Sequence, residues 1–79
     1  MKTDSVLEKA VMRIVNAQLR ENDPKATKET LERLLKEGRG ETEAKELIAS
    51  VLIEEMRYML KNGQEFDEER FAKRLAESG

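Results

Sequence analysis

The 79-residue sequence predicts an all-α domain, a compact four-helix fold with a long central third helix. Three observations carry that prediction. Apolar residues recur at spacings of three and four along nearly the whole chain. Strict apolar/polar alternation is missing, so no segment reads as a strand. Proline and glycine fall only at the boundaries of the periodic segments. The spacing places helices at about residues 5–21, 24–37, 41–61 and 68–77 of a single domain spanning residues 1–79.

The first helix opens at Ser5, with Glu8 three residues on in capping-box spacing. Val6, Leu7, Ala10, Val11, Ile14, Val15 and Ala17 are read as its buried stripe, with Lys9, Arg13, Asn16 and Arg20 opposite. It ends near Asn22. Asp23-Pro24 opens the second helix, Asp as N-cap and Pro as first helical residue. Its stripe is Thr27, Thr30, Leu31, Leu34 and Leu35. Glu29–Arg33 and Glu32–Lys36 form i,i+4 pairs in the favourable order on its outer face. Gly38 supplies a left-handed stop, and the short link Gly38-Arg39-Gly40 makes the second and third helices neighbours.

The third helix is apolar around roughly two thirds of its circumference at about 100° per residue. Ala44, Leu47, Ile48, Ala49, Val51, Leu52, Ile53, Met56, Tyr58, Met59 and Leu60 make the arc, and only Glu43, Glu46, Ser50, Glu54, Arg57 and Lys61 mark a wet side. Such a helix has to be enclosed by neighbours or by a second molecule. Asn62-Gly63 stops it. The fourth helix has Asp67 as N-cap and Phe66/Phe71 in staple positions, but only Phe71, Leu75 and two alanines to dock it.

Composition narrows the function classes. With neither cysteine nor histidine, disulfides, thiolate metal sites and histidine-dependent catalysis are excluded. A chain this short buries only about 60% of its unfolded surface, which leaves oligomerisation as the open route to added stability. Lys and Arg total 15 against 17 Asp and Glu, too even a balance to steer a polyanion. Residues 1–40 carry nine cations against seven anions (+2), and residues 41–79 six against ten (−4). The N-terminal residues lead straight into an amphipathic pattern, so no secretory signal is expected. No apolar run approaches the ~20 residues of a membrane span. A cytoplasmic location without membrane contact is the expectation.

Two sets of residues invite a closer reading. Glu55 projects from the middle of the apolar arc of the third helix, and Gln18 sits comparably on the first. The favoured reading is a buried polar pair that fixes helix register. The competing one makes Glu55 a general base, but a lone carboxylate without a second catalytic group is a poor site. Ile53, Met56 and Leu60 line the far edge of the arc. Either the fourth helix covers them, or they meet the same patch on a second molecule. A homodimer is preferred because the fourth helix offers so little apolar surface.

No cofactor, metal or enzymatic role is expected. Lys25, Lys28, Lys36 and Arg39 gather near one side of the second helix, which suggests duplex binding by a helix-turn-helix. The would-be recognition helix is the most apolar in the chain, so an ordinary solvated face is favoured. The resulting expectation is a protein–protein interaction or scaffolding module with a homodimeric or unidentified protein partner. A weak regulatory nucleic-acid binder, using the basic faces of the first two helices, is the alternative.

The chain also resembles a family of short bacterial all-helical proteins known only as a domain of unknown function. The residues that carry the likeness are Gln18-Leu19, Asn22-Asp23-Pro24, Thr30-Leu31 with Leu34-Leu35, Gly38, Glu43-Ala44, Ile48, Val51-Leu52, Glu54-Glu55 and Phe66-Asp67-Glu68-Glu69-Arg70. They span most of residues 14–75. In that family the first and third helices often carry histidines. Met12, Lys45 and Glu46 occupy those regions here, so no metal or acid–base role is carried over. The resemblance implies a compact helical fold and supplies no activity.

Overall fold

A computed structural model describes residues 5–78. It contains α1 (Ser5–Glu21), α2 (Lys25–Lys36), α3 (Glu41–Asn62) and α4 (Glu68–Glu77), and no strand among the described residues. The predicted boundaries hold to within one residue. The side-chain cap expected from Ser5 and the reading of residues 1–4 lie outside the described side chains.

Left-handed stops explain why the first three helices end where they do. Gly38 has φ 97°. Its N–H donates to Leu35 O, and the Arg39 N–H donates to Leu34 O. That is a Schellman ending, which satisfies carbonyls the last turn would otherwise strand. Asn22, at φ 54°, closes α1 in the same pattern through Asn22 N–H to Leu19 O and Asp23 N–H to Gln18 O. Asn tolerates this region better than most residues. Gly63 (φ 60°) ends α3.

The starts differ. Asp67 accepts from the backbone N–H groups of Glu69 and Arg70 at 2.9 and 3.2 Å, as expected. The Asp23 cap is corrected. Pro24 itself is the N-cap of α2, with extended backbone (φ −75°, ψ 153°), and no side chain caps the helix. Because α2 begins one residue later than expected, Asp23 stands outside the cap position.

Helix three is the post of the fold. It packs against α1, α2 and α4, and α2 also touches all three other helices. The core joins Val11 and Val15 of α1, Ile48, Ala49, Val51 and Leu52 of α3, and Phe71 and Leu75 of α4, with Leu34 of α2 also fully buried. Every residue assigned to the wet side of α3 is exposed.

The α1 stripe is rotated from its expected place. Val6 is 77% exposed, and Ala10 and Ile14 are exposed too. Leu7 packs inward beside Val11 and Val15 as expected, and Met12 and Leu19 join them in place of the exposed residues. Small and β-branched residues filled both edges of that wheel, so periodicity alone could not place its centre. The outer pairs on α2 change as well. Arg33 pairs with Glu37 at 3.1 Å rather than with Glu29. No ion pair joins Glu32 to Lys36.

Gly38 has open space where a Cβ would stand, so substitution there meets conformational strain rather than a clash. Gly38→Ala is expected to lower the unfolding free energy by about 1 kcal/mol. In urea titrations this appears as a lower midpoint at unchanged slope. An unshifted midpoint would show that the left-handed stop contributes nothing.

Candidate interaction surfaces and the buried carboxylate

Glu55 is fully buried, as its place in the apolar arc implied. Its partner is not Gln18. Two turns of α4 bring Arg70 and Arg74 against it. Arg70 Nε donates to Oε2 at 2.7 Å, and Arg70 Nη2 also bears on that oxygen. Arg74 Nε lies 3.1 Å from Oε1, near enough for an ion pair but misaligned for a hydrogen bond. The hydrogen bond to Glu55 raises the Arg70 guanidinium above its ordinary value, against an opposing effect of partial burial.

Tyr58, one turn along α3, completes the cluster. The guanidinium carbon of Arg70 stands 4.3 Å over its ring, and that of Arg74 at 5.7 Å, within cation–π range. Asp67 and Glu54 approach the outer sides of Arg70 and Arg74 at 3.6 and 3.9 Å. One buried charge is thus held by two cations whose other sides are balanced near solvent.

Helix four is better docked than its short apolar face suggested. Phe71 and Leu75 are fully buried, each worth roughly 1.5–3 kcal/mol of burial. The Phe66 ring meets that of Phe71 at a tilt of 57°, with centroids 5.4 Å apart, forming the expected staple. Arg33 of α2 donates through Nη2 to the carbonyls of Leu75 and Ser78, each at 3.1 Å. It therefore ties off the end of α4, where unsatisfied carbonyls favour a cation.

Gln18 has a different task. Its Oε1 accepts from the Thr27 hydroxyl at 2.8 Å, joining α1 to α2 where Thr27 is fully buried. The two polar residues singled out in the sequence thus fix two separate helix pairs.

The third-helix edge is divided in its exposure. Ile53 and Met56 are half-buried against the core, and Leu60 is 85% exposed. Ile53 also lines a groove of about 360 Å³ with Glu8 and Met12 of α1 and Glu46, Ala49 and Ser50 of α3. Part of the cover for this edge therefore comes from α1. A second apolar edge was missed in the sequence: Val6 and Ile14 on α1 and Leu35 on α2 stand exposed. The arginine partners of Glu55 were legible, since Arg70/Arg74 repeat the i,i+4 spacing of Phe71/Leu75 one residue earlier.

Among the described residues, no helix is long and apolar enough to cross a membrane. No family model, curated protein or solved structure matches the chain.

Removing one partner of a buried ion pair is costly because the other is left uncompensated. Glu55→Ala is expected to destabilise by about 3 kcal/mol, the low end of the usual range because both arginines can turn to water. The Arg70→Ala, Arg74→Ala double variant strands the carboxylate and should be at least as unstable. Replacing all three residues by leucine or methionine should recover much of the loss. Chemical denaturation followed by circular dichroism checks the order, and a neutral double arginine variant would contradict it.

Proposed function

We propose that the chain is a small cytoplasmic protein–protein interaction or scaffolding module that self-associates as a homodimer through α3. The observation that carries this reading is Leu60, 85% exposed at the end of the edge begun by half-buried Ile53 and Met56. An isologous two-fold contact would bury all three against their own copies. Met56 suits such a contact because its unbranched thioether adapts to an irregular surface. The groove beside Ile53 offers relief for a partner side chain. The likeness to a bacterial family of unknown function is compatible with this role and adds no activity to it. No catalytic step is proposed, since both oxygens of Glu55 face arginine.

The second reading, a regulatory nucleic-acid binder, draws on Lys9, Arg13, Arg20, Lys28 and Lys36, which are exposed on α1 and α2. It ranks lower because Val6, Ile14 and Leu35 lie among those cations, and apolar side chains in that position gain nothing from a phosphate backbone.

Size exclusion coupled to light scattering tests the dimer. The wild type should elute at twice the monomer mass of 9.1 kDa, and Leu60→Glu as a folded monomer. Ile53→Glu and Met56→Glu should act in the same direction. Since Leu60 is exposed, its variant keeps the fold, so a monomeric wild type or a dimeric Leu60→Glu would defeat the reading.

A further inference from the structure

We infer that the outer seam between α1 and α2 is a docking surface for an acidic amphipathic helix of a partner protein. The inference concerns a different face from the α3 edge and stands whether or not the chain dimerises.

The seam is set by the Gln18–Thr27 hydrogen bond. With α1 and α2 joined by a three-residue link, that contact sets the end of α1 beside the start of α2. Extended along both helices, it would place Ile14 toward Leu31 and Ala10 toward Leu35. At 100° per residue, Val6, Ala10, Ile14 and Ala17 form one edge of α1, next to the buried side of Val11 and Val15. Leu31 and Leu35 form the facing edge of α2. The opposite edge of α2, with Ala26 and Arg33, is turned toward Ala72 and Ala76 of α4. Val6 is 77% exposed, Ile14 41% and Leu35 43%. The result is a narrow apolar strip between two helices, the geometry a third helix fills with side chains at i, i+3, i+4 and i+7.

Charge selects the occupant. On the same wheel, Lys9, Arg13 and Arg20 follow one another along the α1 side of the strip, and on the α2 side Lys28 lies next to Leu35, with Lys36 farther round, past Glu32. All five are exposed. Among the described residues, none of them is engaged in an ion pair, whereas Arg33, Arg39, Lys45, Arg70 and Arg74 each have a carboxylate. Glu32 and Glu21 are the acidic residues that border the strip. Unpaired cations on both flanks of an apolar centre complement a helix with leucines on one face and glutamates beside them. A bare phosphate backbone would leave the centre unused. A lipid surface would favour aromatic residues along the apolar strip, and α1 and α2 have none.

The test uses the intact chain and a synthetic helical peptide with leucines at i, i+3, i+4, i+7 and glutamates on both flanks. Amide chemical shifts should move at Val6, Lys9, Arg13, Ile14, Lys28 and Leu35 and stay fixed at Ile53, Met56 and Leu60. Ile14→Glu and Leu35→Glu should each weaken binding by about tenfold or more, roughly 1.4 kcal/mol. Lys9→Glu combined with Arg13→Glu, on a fully solvated face, should weaken it and flatten its salt dependence. Equal binding of the peptide with lysines in place of glutamates would overturn the inference. So would shifts confined to the α3 edge, or preferential binding to anionic vesicles or duplex DNA.

Discussion

The girth of apolar surface on α3 is the constraint from which the architecture follows. A helix with one narrow stripe can lie against a single neighbour, but one whose apolar side spans Ala44, Ile48, Val51 and Leu52 needs contacts from several directions. The fold meets this with α1, α2 and α4 each in contact with α3. Val11 and Val15 approach from one side, Phe71 and Leu75 from another. Leu34 is buried with them. Cover is incomplete at Ile53 and Met56, which are half-buried, and at Leu60, which is exposed.

Within that apolar surround, Glu55 makes the docking of α4 specific. Apolar contacts from Phe71 and Leu75 would tolerate some sliding of a short helix. A buried carboxylate with arginines one turn apart on α4 tolerates far less, because any shift strands a charge. Arg33 adds a second fixed point at the helix end. Tyr58 holds the two guanidinium groups against α3 from its ring face. Gln18 and Thr27 do the corresponding job for α1 and α2. Polar contacts thus set the register of two helix pairs whose packing is otherwise adaptable.

Much of this was legible in the residues. Gly38, Asn62-Gly63 and Asp67 carry local chemistry that allows few conformations, and all three boundaries follow from it. The wet side of α3 was legible because charged residues repeat there without interruption. On α1 the apolar residues reach around both edges of the wheel. Choosing between Ile14 and Met12 as the inward residue depends on which neighbour packs where, and that is a tertiary fact. Asp23 was misplaced by one position because either it or Pro24 can precede a helix. Glu55 was recognised as buried, but its partners sit 15 and 19 residues away on a helix judged by its apolar content alone. Asking which cations could reach a buried carboxylate would have singled out Arg70 and Arg74.

Native-state hydrogen exchange tests most directly whether α3 is the post that holds the others. The amides from Ile48 to Glu55 should exchange only through global unfolding, with an opening free energy equal to that from chemical denaturation. Exchange of those amides by local opening, while α1 and α2 stay protected, would contradict the account.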